Sequence, residues 1–177
     1  MPGPAWPECQ VATLRGGRAE GHGWPLPTVA ALHDPSHDWL YSAARGEGAW
    51  LDGKRLAVSP CADLGAATVE CGWSTRRSTA DYLALVARVM AAGCAIRRVG
   101  SGALGLADVA AGRSEAYAEL HINAWDCAAG ILLVTEAGGR TNDFFAGEGI
   151  NAGNPLLATN GALCVKLADL IGIPMTS

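Results

Sequence analysis

The chain has 177 residues, of which 50% are hydrophobic and 17% are charged. This composition can bury a large core and excludes intrinsic disorder. With 13 Lys and Arg against 17 Asp and Glu, and with no basic run, it argues against a nucleic-acid partner and against binding to an anionic membrane surface. We expect a small-molecule partner instead.

Cysteine spacing and the first residues indicate where the protein is found. The six cysteines are far apart and form no CxxC pair, so we interpret them as buried thiols. The first ten residues lack the basic and apolar regions of a signal peptide, and no run of about 18 apolar residues occurs. We therefore predict a cytoplasmic protein with no membrane partner.

Residues 1–76 alternate short strand-like runs with turn signals, a pattern that predicts an antiparallel meander. Asp34-Pro35-Ser36 favours a turn, and Asp52-Gly53 is a favoured pair for a tight hairpin. We assign 1–76 to a first domain and expect its last strand to close the meander. The predicted strands cover 9–14, 28–32, 39–44, 49–51, 55–58 and 67–73.

Residues 77–177 change to a helical period and then alternate helices with strands. Ser78 or Thr79 can cap a first helix that ends before Gly93. The alternation predicts a second, α/β layered domain with parallel neighbouring strands. The further predicted elements are a strand at 95–99, a helix at 103–111, a strand at 116–120, a helix at 125–137, a strand at 156–159 and a helix at 162–171.

The most informative segment is 121–139, HINAWDCAAGILLVTEAGG, in which Asp126 opens a helix. An acid in a first helical turn is usually only a favourable partner of the helix dipole. The whole string, however, resembles the second signature of the inositol monophosphatase family, in the magnesium-dependent, lithium-sensitive phosphatase superfamily. By this resemblance Asp126 is a magnesium ligand that also faces the substrate.

The resemblance extends from about Gly3 to about Ile173 and implies further site residues. Upstream of the signature, RVGSGAL at 98–104 and AYAE at 116–119 are similar to the family's pocket-forming stretch. It implies that Glu119 hydrogen-bonds a substrate hydroxyl. It also implies that the backbone of a glycine-rich turn lines the pocket, at Gly100, Ser101 and Gly102.

The family's first signature, Asp-Pro-x-Asp-Gly-Thr, does not occur in the sequence. In the family this motif supplies most metal ligands and a threonine that helps to orient the attacking water. Asp126 alone cannot assemble the octahedral oxygen coordination that Mg²⁺ requires. We therefore expect an N-terminally truncated member, inactive as this chain alone, and we name no certain catalytic residue.

The resemblance also sets the expected fold and function. The fold is an α/β layered sandwich: a remnant of a first mixed or antiparallel sheet, followed by a complete C-terminal α/β half of the inositol monophosphatase/fructose bisphosphatase-like fold. The function is Mg²⁺-dependent hydrolysis of inositol phosphate or a similar small phosphorylated metabolite. Because the family often dimerises, a homodimer is left open.

Two other interpretations stay open at this point. Gly100, Gly102 and Gly105 satisfy the G-x-G-x-x-G pattern of dinucleotide-binding proteins, with Glu119 as a candidate ribose-binding acid. A parallel sheet should begin at such a motif, whereas here an antiparallel meander precedes it, which favours the phosphatase. The second alternative is a non-catalytic binding or interaction module.

Several other polar residues could be mistaken for site residues. The cluster at 33–38, HDPSHD, offers four potential metal ligands, but Pro35 keeps its two histidines off a shared helical face, so we interpret it as a solvated turn. His121 is interpreted as a pocket-wall or capping residue. Glu136 lies about 15 Å along the helix from Asp126 and cannot share a metal ion with it.

Overall fold

The computed structural model describes residues 9–13 and 26–175, and the first sheet in them is the predicted antiparallel meander. The hairpin turn at Asp52 and Gly53 has φ values of 48° and 77°, as a tight turn with two left-handed residues requires. The strands follow chain order across this sheet. They are β1 (Cys9–Thr13), β2 (Val29–Asp34), β3 (Trp39–Ala44), β4 (Gly48–Leu51) and β5 (Lys54–Arg55).

The second sheet is mixed and has the strand order β7-β6-β8-β10-β9. Its strands are β6 (Thr68–Cys71), β7 (Ala95–Arg97), β8 (Ala116–Ile122), β9 (Arg140–Thr141) and β10 (Asn154–Thr159). β6 is parallel to β7 and β8, and β10 is antiparallel to β8 and β9. The predicted parallel neighbours are therefore present.

Five α-helices occur in the described ranges, and four of them were predicted. Ser78 and Ser101 cap two of them through their hydroxyls, which accept hydrogen bonds of 3.1 Å from the N–H groups of Asp81 and Leu104. The helices are α1 (Thr79–Ala91), α2 (Gly102–Ala110), α3 (Ala124–Glu136), α4 (Gly149–Ala152) and α5 (Cys164–Ile171). None of the five could cross a lipid bilayer. The short α4 and β9, and a 3₁₀ turn at Leu64–Ala66, carry no periodic signal and were missed.

One strand prediction is wrong. The segment predicted to close the meander contains β6, which lies inside the second sheet between β7 and β8. Both partner strands come later in the chain, so the local apolar pattern of β6 could not reveal them. The predicted strand at 55–58 also ends early, because Val58 donates its N–H to Ala137 at the end of α3. The division into two domains at residue 76 stays a prediction.

The elements form four layers: the first sheet, then α2 with α3, then the second sheet, then α1 with α5. One core cluster surrounds α2 and α3 between the two sheets, and another fills the far side of the second sheet. The two central helices approach closely because Gly130 faces Leu106, and a Cβ at Gly130 would lie 2.5 Å from the Leu106 Cβ. The predicted layered α/β fold is confirmed.

Most described cysteines are buried free thiols, as predicted. Four of them are buried and Cys61 is half-buried. Burial raises the pKa of the Cys71 thiol to about 12, so this thiol stays protonated and unreactive. The four buried cysteines are Cys71, Cys94, Cys127 and Cys164.

Candidate functional site

A polar pocket of about 220 Å³ opens where three parallel strands end. Gly72 and Trp73 follow β6, Arg98 follows β7, and Glu119 lies in the middle of β8, one residue beyond Ala118, which pairs with the last residue of β6. Because the carboxyl ends of parallel strands meet at one edge of a sheet, residues far apart in the chain converge here. The strand order of the second sheet therefore brings the residues of this pocket together.

All five residues predicted for the site line this one pocket: Gly100, Ser101, Gly102, Glu119 and Asp126. Gly100 and Ser101 form the turn between β7 and α2, and Gly102 is the first residue of α2. The two acids come from β8 and from the first turn of α3. The structure thus brings the predicted group together. The role of each residue stays a prediction.

The turn before α2 presents backbone donors to the pocket. Gly100 has a φ of 84°, which a glycine adopts without strain. The Ser101 hydroxyl satisfies the N–H of Leu104, whereas the N–H groups of Gly102 and Ala103 lie in the first turn and have no acceptor within the helix. Together with the helix dipole they favour an anion or a hydroxyl oxygen at this end of the pocket.

Glu119 is held at the pocket floor. It is 8% exposed, and its Oε2 accepts a hydrogen bond from the Tyr117 hydroxyl. Burial raises the pKa of Glu119, the Tyr117 hydrogen bond opposes this rise, and the nearby Asp126 carboxylate adds to it. Oε1 of Glu119 has no hydrogen-bond partner among the described residues, so it can accept a hydrogen bond from a ligand.

Asp126 is the least constrained acid of the pocket. It is half-buried in the first turn of α3, where the helix dipole favours a negative charge. Within residues 9–13 and 26–175 its carboxylate has no hydrogen-bond or ion-pair partner. Both of its oxygens are free to bind a cation or a donor group.

The sequence interpretation assigned no site role to several pocket residues, among them Arg98, Trp73 and Tyr117. The Arg98 guanidinium lies 5.9 Å from the centre of the Trp73 ring at the pocket mouth. Arg98 is the one cation among the described lining residues, and Trp73 is 42% exposed. Tyr117 forms part of the floor. Assigning β6 to the second sheet would have predicted Trp73, since it follows that strand as Arg98 follows β7.

The described residues do not form a complete magnesium site. No three His, Cys, Asp or Glu side chains among them are arranged to hold a metal ion. Asp126 offers a free carboxylate, but Glu119 is engaged by Tyr117. Glu70, which also lines the pocket, accepts a hydrogen bond from Ser114. This donor set falls short of the octahedral oxygen coordination of Mg²⁺.

The other polar candidates have structural roles. In the turn between β2 and β3, His37 Nδ1 lies 2.7 Å from Asp34 Oδ2, and the cluster there holds no metal-binding group. His121 Nε2 lies 2.9 Å from the carbonyl oxygen of Ala152. Glu136 accepts hydrogen bonds from two backbone N–H groups of the turn between β3 and β4.

Comparison with known proteins places this architecture in one class, that of inositol-monophosphatase-type proteins. A sequence model of the inositol monophosphatase family matches residues 25–171. The chain belongs to the inositol monophosphatase family. The matched range includes the glycine turn at Gly100, so family membership favours the phosphatase interpretation of that turn over a dinucleotide site.

The similar proteins include ones named inositol-1-monophosphatase and ones named Nus factor SuhB. The chain is 34% identical over 170 residues to the inositol-1-monophosphatase of Mesorhizobium japonicum, covering 88% of this chain and 64% of that protein. It is 39% identical over 135 residues to the Nus factor SuhB of Salmonella typhimurium, covering 72% of this chain and 51% of that protein. The chain therefore spans about half to two thirds of the length of these relatives.

Solved structures agree with the fold. The inositol monophosphatase from Anabaena superposes with a TM-score of 0.76 at 32% identity, over 84% of this chain and 60% of that one. SuhB from Mycobacterium tuberculosis superposes with a TM-score of 0.74 at 31% identity, over 83% of this chain and 59% of that one.

Proposed function

We propose that this chain is the substrate-binding part of a phosphate monoester hydrolase. The reaction is the Mg²⁺-dependent removal of phosphate from inositol phosphate or a similar small phosphorylated metabolite. The observation that carries the proposal is the convergence of Asp126, Glu119 and the amino-terminal end of α2 in one pocket. The family membership supports it.

Each part of the pocket suits one part of such a substrate. Oε1 of Glu119 can accept a hydrogen bond from a polyol hydroxyl. The backbone N–H groups at the start of α2 can bind an oxygen of the same molecule. Asp126 supplies one carboxylate for a hard cation such as Mg²⁺. The pocket, about 220 Å³ in volume, suits a small ring compound.

The same site explains why we expect no hydrolysis by this chain alone. The described residues provide an incomplete set of metal ligands, and the sequence contains no Asp-Pro-x-Asp-Gly-Thr motif. The purified 177-residue chain should therefore show no Mg²⁺-dependent release of phosphate from inositol 1-phosphate above background. Turnover that Asp126→Asn abolishes would contradict this expectation.

A gain-of-function experiment tests the proposal itself. The first-signature segment of an active family member is fused before Gly3, and Mg²⁺-dependent phosphate release is measured against several phosphate monoesters. We expect activity in the fusion, and its loss in the matched Asp126→Asn fusion, because a neutral amide is a much weaker ligand for a hard dication. A well-folded fusion that stays inactive would overturn the proposal.

A non-catalytic binding or interaction module is the second candidate. Two observations favour it: the incomplete metal site and the relatives named Nus factor. This second candidate would be preferred if the folded fusion were inactive. The small phosphorylated metabolite as partner, the lack of a nucleic-acid or membrane partner, the homodimer and the cytoplasmic location remain predictions.

A further inference from the structure

Tyr117 is buried directly against the acid that faces the pocket. Tyr117 and Glu119 are two residues apart on β8, so their side chains lie on the same face of the sheet. The Tyr117 hydroxyl donates to Oε2 of Glu119, its one hydrogen-bond partner within the described residues. Tyr117 is 2% exposed, so water has little access to its hydroxyl.

Glycines on two sides fix the position of the phenol. A Cβ at Gly105 would lie 2.7 Å from the Tyr117 ring, and a Cβ at Gly102 would lie 3.1 Å from its hydroxyl. A Cβ at Gly72 would overlap both the hydroxyl and the Glu119 carboxylate. The glycines leave a slot that Tyr117 fills, so the ring has one orientation available.

We propose that Tyr117 is a positioning residue, which orients the Glu119 carboxylate so that Oε1 faces a substrate hydroxyl. This inference rests on the proposed function of Glu119. Without the phenol, the Glu119 carboxylate would have no hydrogen-bond partner among the described residues and could turn toward Arg98 at the pocket mouth. The Tyr117 hydroxyl therefore selects one of several available orientations.

The hydrogen bond between Tyr117 and Glu119 restricts the kind of ligand group that can bind at Glu119. Burial raises the pKa of Tyr117 well above its ordinary value, so the phenol remains a donor throughout the physiological range. Since the phenol satisfies Oε2, Glu119 presents one carboxylate oxygen to the pocket, and when ionised this oxygen can only accept a hydrogen bond. The matching group on the ligand is a hydroxyl donor, as in a cyclic polyol, rather than a carbonyl or carboxylate.

A double-mutant cycle on the full 177-residue chain tests the inference. Binding of myo-inositol 1-phosphate is followed by NMR titration for the wild type, Tyr117→Phe, Glu119→Gln and the double variant. We expect Tyr117→Phe to weaken binding by up to roughly tenfold, because a reoriented Glu119 carboxylate loses its hydrogen bond from the ligand hydroxyl. The double variant should bind no more weakly than Glu119→Gln alone, because Tyr117 acts through Glu119.

The matched control is Tyr41→Phe, which also removes a buried phenol hydroxyl but lies against Arg113 away from the pocket. It should leave binding unchanged. Unchanged binding in Tyr117→Phe, or losses that multiply in the double variant, would overturn the positioning role.

A crystal structure of Tyr117→Phe separates this inference from the proposed function. We expect the Glu119 carboxylate to change its orientation, and an unchanged carboxylate would refute the positioning role even if no ligand were available. If the wild-type chain does not bind myo-inositol 1-phosphate at all, the proposed function fails, and the crystal structure still decides the role of Tyr117.

Discussion

Two groups of charged side chains lie at opposite ends of α2, and they differ in how their charges are paired. Near the carboxyl end, Asp108 contacts Arg97 at 3.2 Å and Arg113 at 2.7 Å. Glu70, which is 1% exposed and also lines the pocket, links the two groups: it accepts a hydrogen bond from Ser114 and lies 3.4 Å from Arg97. This group, Glu70, Arg97, Asp108, Arg113 and Ser114, is referred to below as the ionic network.

At the amino end the charges lack partners. Asp126 and Arg98 form no ion pair within the described residues, and Glu119 keeps one oxygen free. In the ionic network Asp108 has two cationic partners, although Oε2 of Glu70 has no hydrogen-bond partner among the described residues. The pocket instead leaves its charges to a ligand or to water. The comparison indicates that paired charges near the carboxyl end of α2 stabilise the fold, while unpaired charges near its amino end remain available to a ligand.

The largest expected effect comes from breaking the ionic network. Asp108→Asn removes the one carboxylate that faces two guanidinium groups. We expect it to lower the free energy of unfolding by about 2 kcal/mol, because the Asp108 side chain, which is 14% exposed, loses a charge-assisted hydrogen bond from Arg113 and an ion pair with Arg97. Urea denaturation measures the change. Asp169→Asn on the exposed side of α5 is the matched control and should change stability by less than about 0.5 kcal/mol. Equal effects of the two substitutions would contradict the distinction.

The ionic network should also make stability depend on pH. Burial is the main cause that raises the pKa of Glu70 from 4.5 to about 7, and the nearby Asp108 adds to it. A raised carboxyl pKa stabilises the folded state fully below the unfolded value, and this contribution is lost as pH rises toward 7. Relative to Glu70→Gln, the wild type should lose about 2 kcal/mol between pH 4.5 and 7. Parallel stability curves for the two proteins would contradict the assignment.

The sequence could predict those parts of the fold and of the site that depend on residues close together in the chain. Asp126 and Glu119 belong to one contiguous motif, so their shared pocket was predictable. β6 pairs only with strands that follow it in the chain, and its residues Gly72 and Trp73 were therefore missed. The ionic network joins residues up to 44 positions apart, Glu70 and Ser114, and no local periodicity marks such a contact.

A substitution in the glycine-lined slot that Tyr117 fills should have a smaller effect on stability. Gly105→Ala places a methyl group 2.7 Å from the Tyr117 ring, and we expect it to lower the free energy of unfolding by about 1.5 kcal/mol through overpacking. Gly65→Ala is the matched control, since its added Cβ meets nothing closer than 3.6 Å. Thermal unfolding compares them. Two equally tolerated alanines would mean that Tyr117 is not held in a filled slot.

The smallest expected change in stability is at the pocket. Asp126→Asn should alter the free energy of unfolding by at most about 0.5 kcal/mol, because the carboxylate has no partner and contributes only through the helix dipole. Urea denaturation of Asp126→Asn and of Asp108→Asn under the same conditions compares the two losses of stability. A loss as large as that of Asp108→Asn would mean that Asp126 belongs to a structural network.

An NMR map of ligand contacts tests most directly whether the unpaired charges mark the binding site. The isotope-labelled chain is titrated with myo-inositol 1-phosphate, and backbone amide shifts are followed residue by residue. We predict perturbations concentrated at Gly72, Gly100 to Gly102, Glu119 and Asp126, with those of Asp108 and Arg113 unchanged. Shifts that cluster elsewhere, or no shifts at any concentration, would contradict the assignment of this pocket as the substrate site.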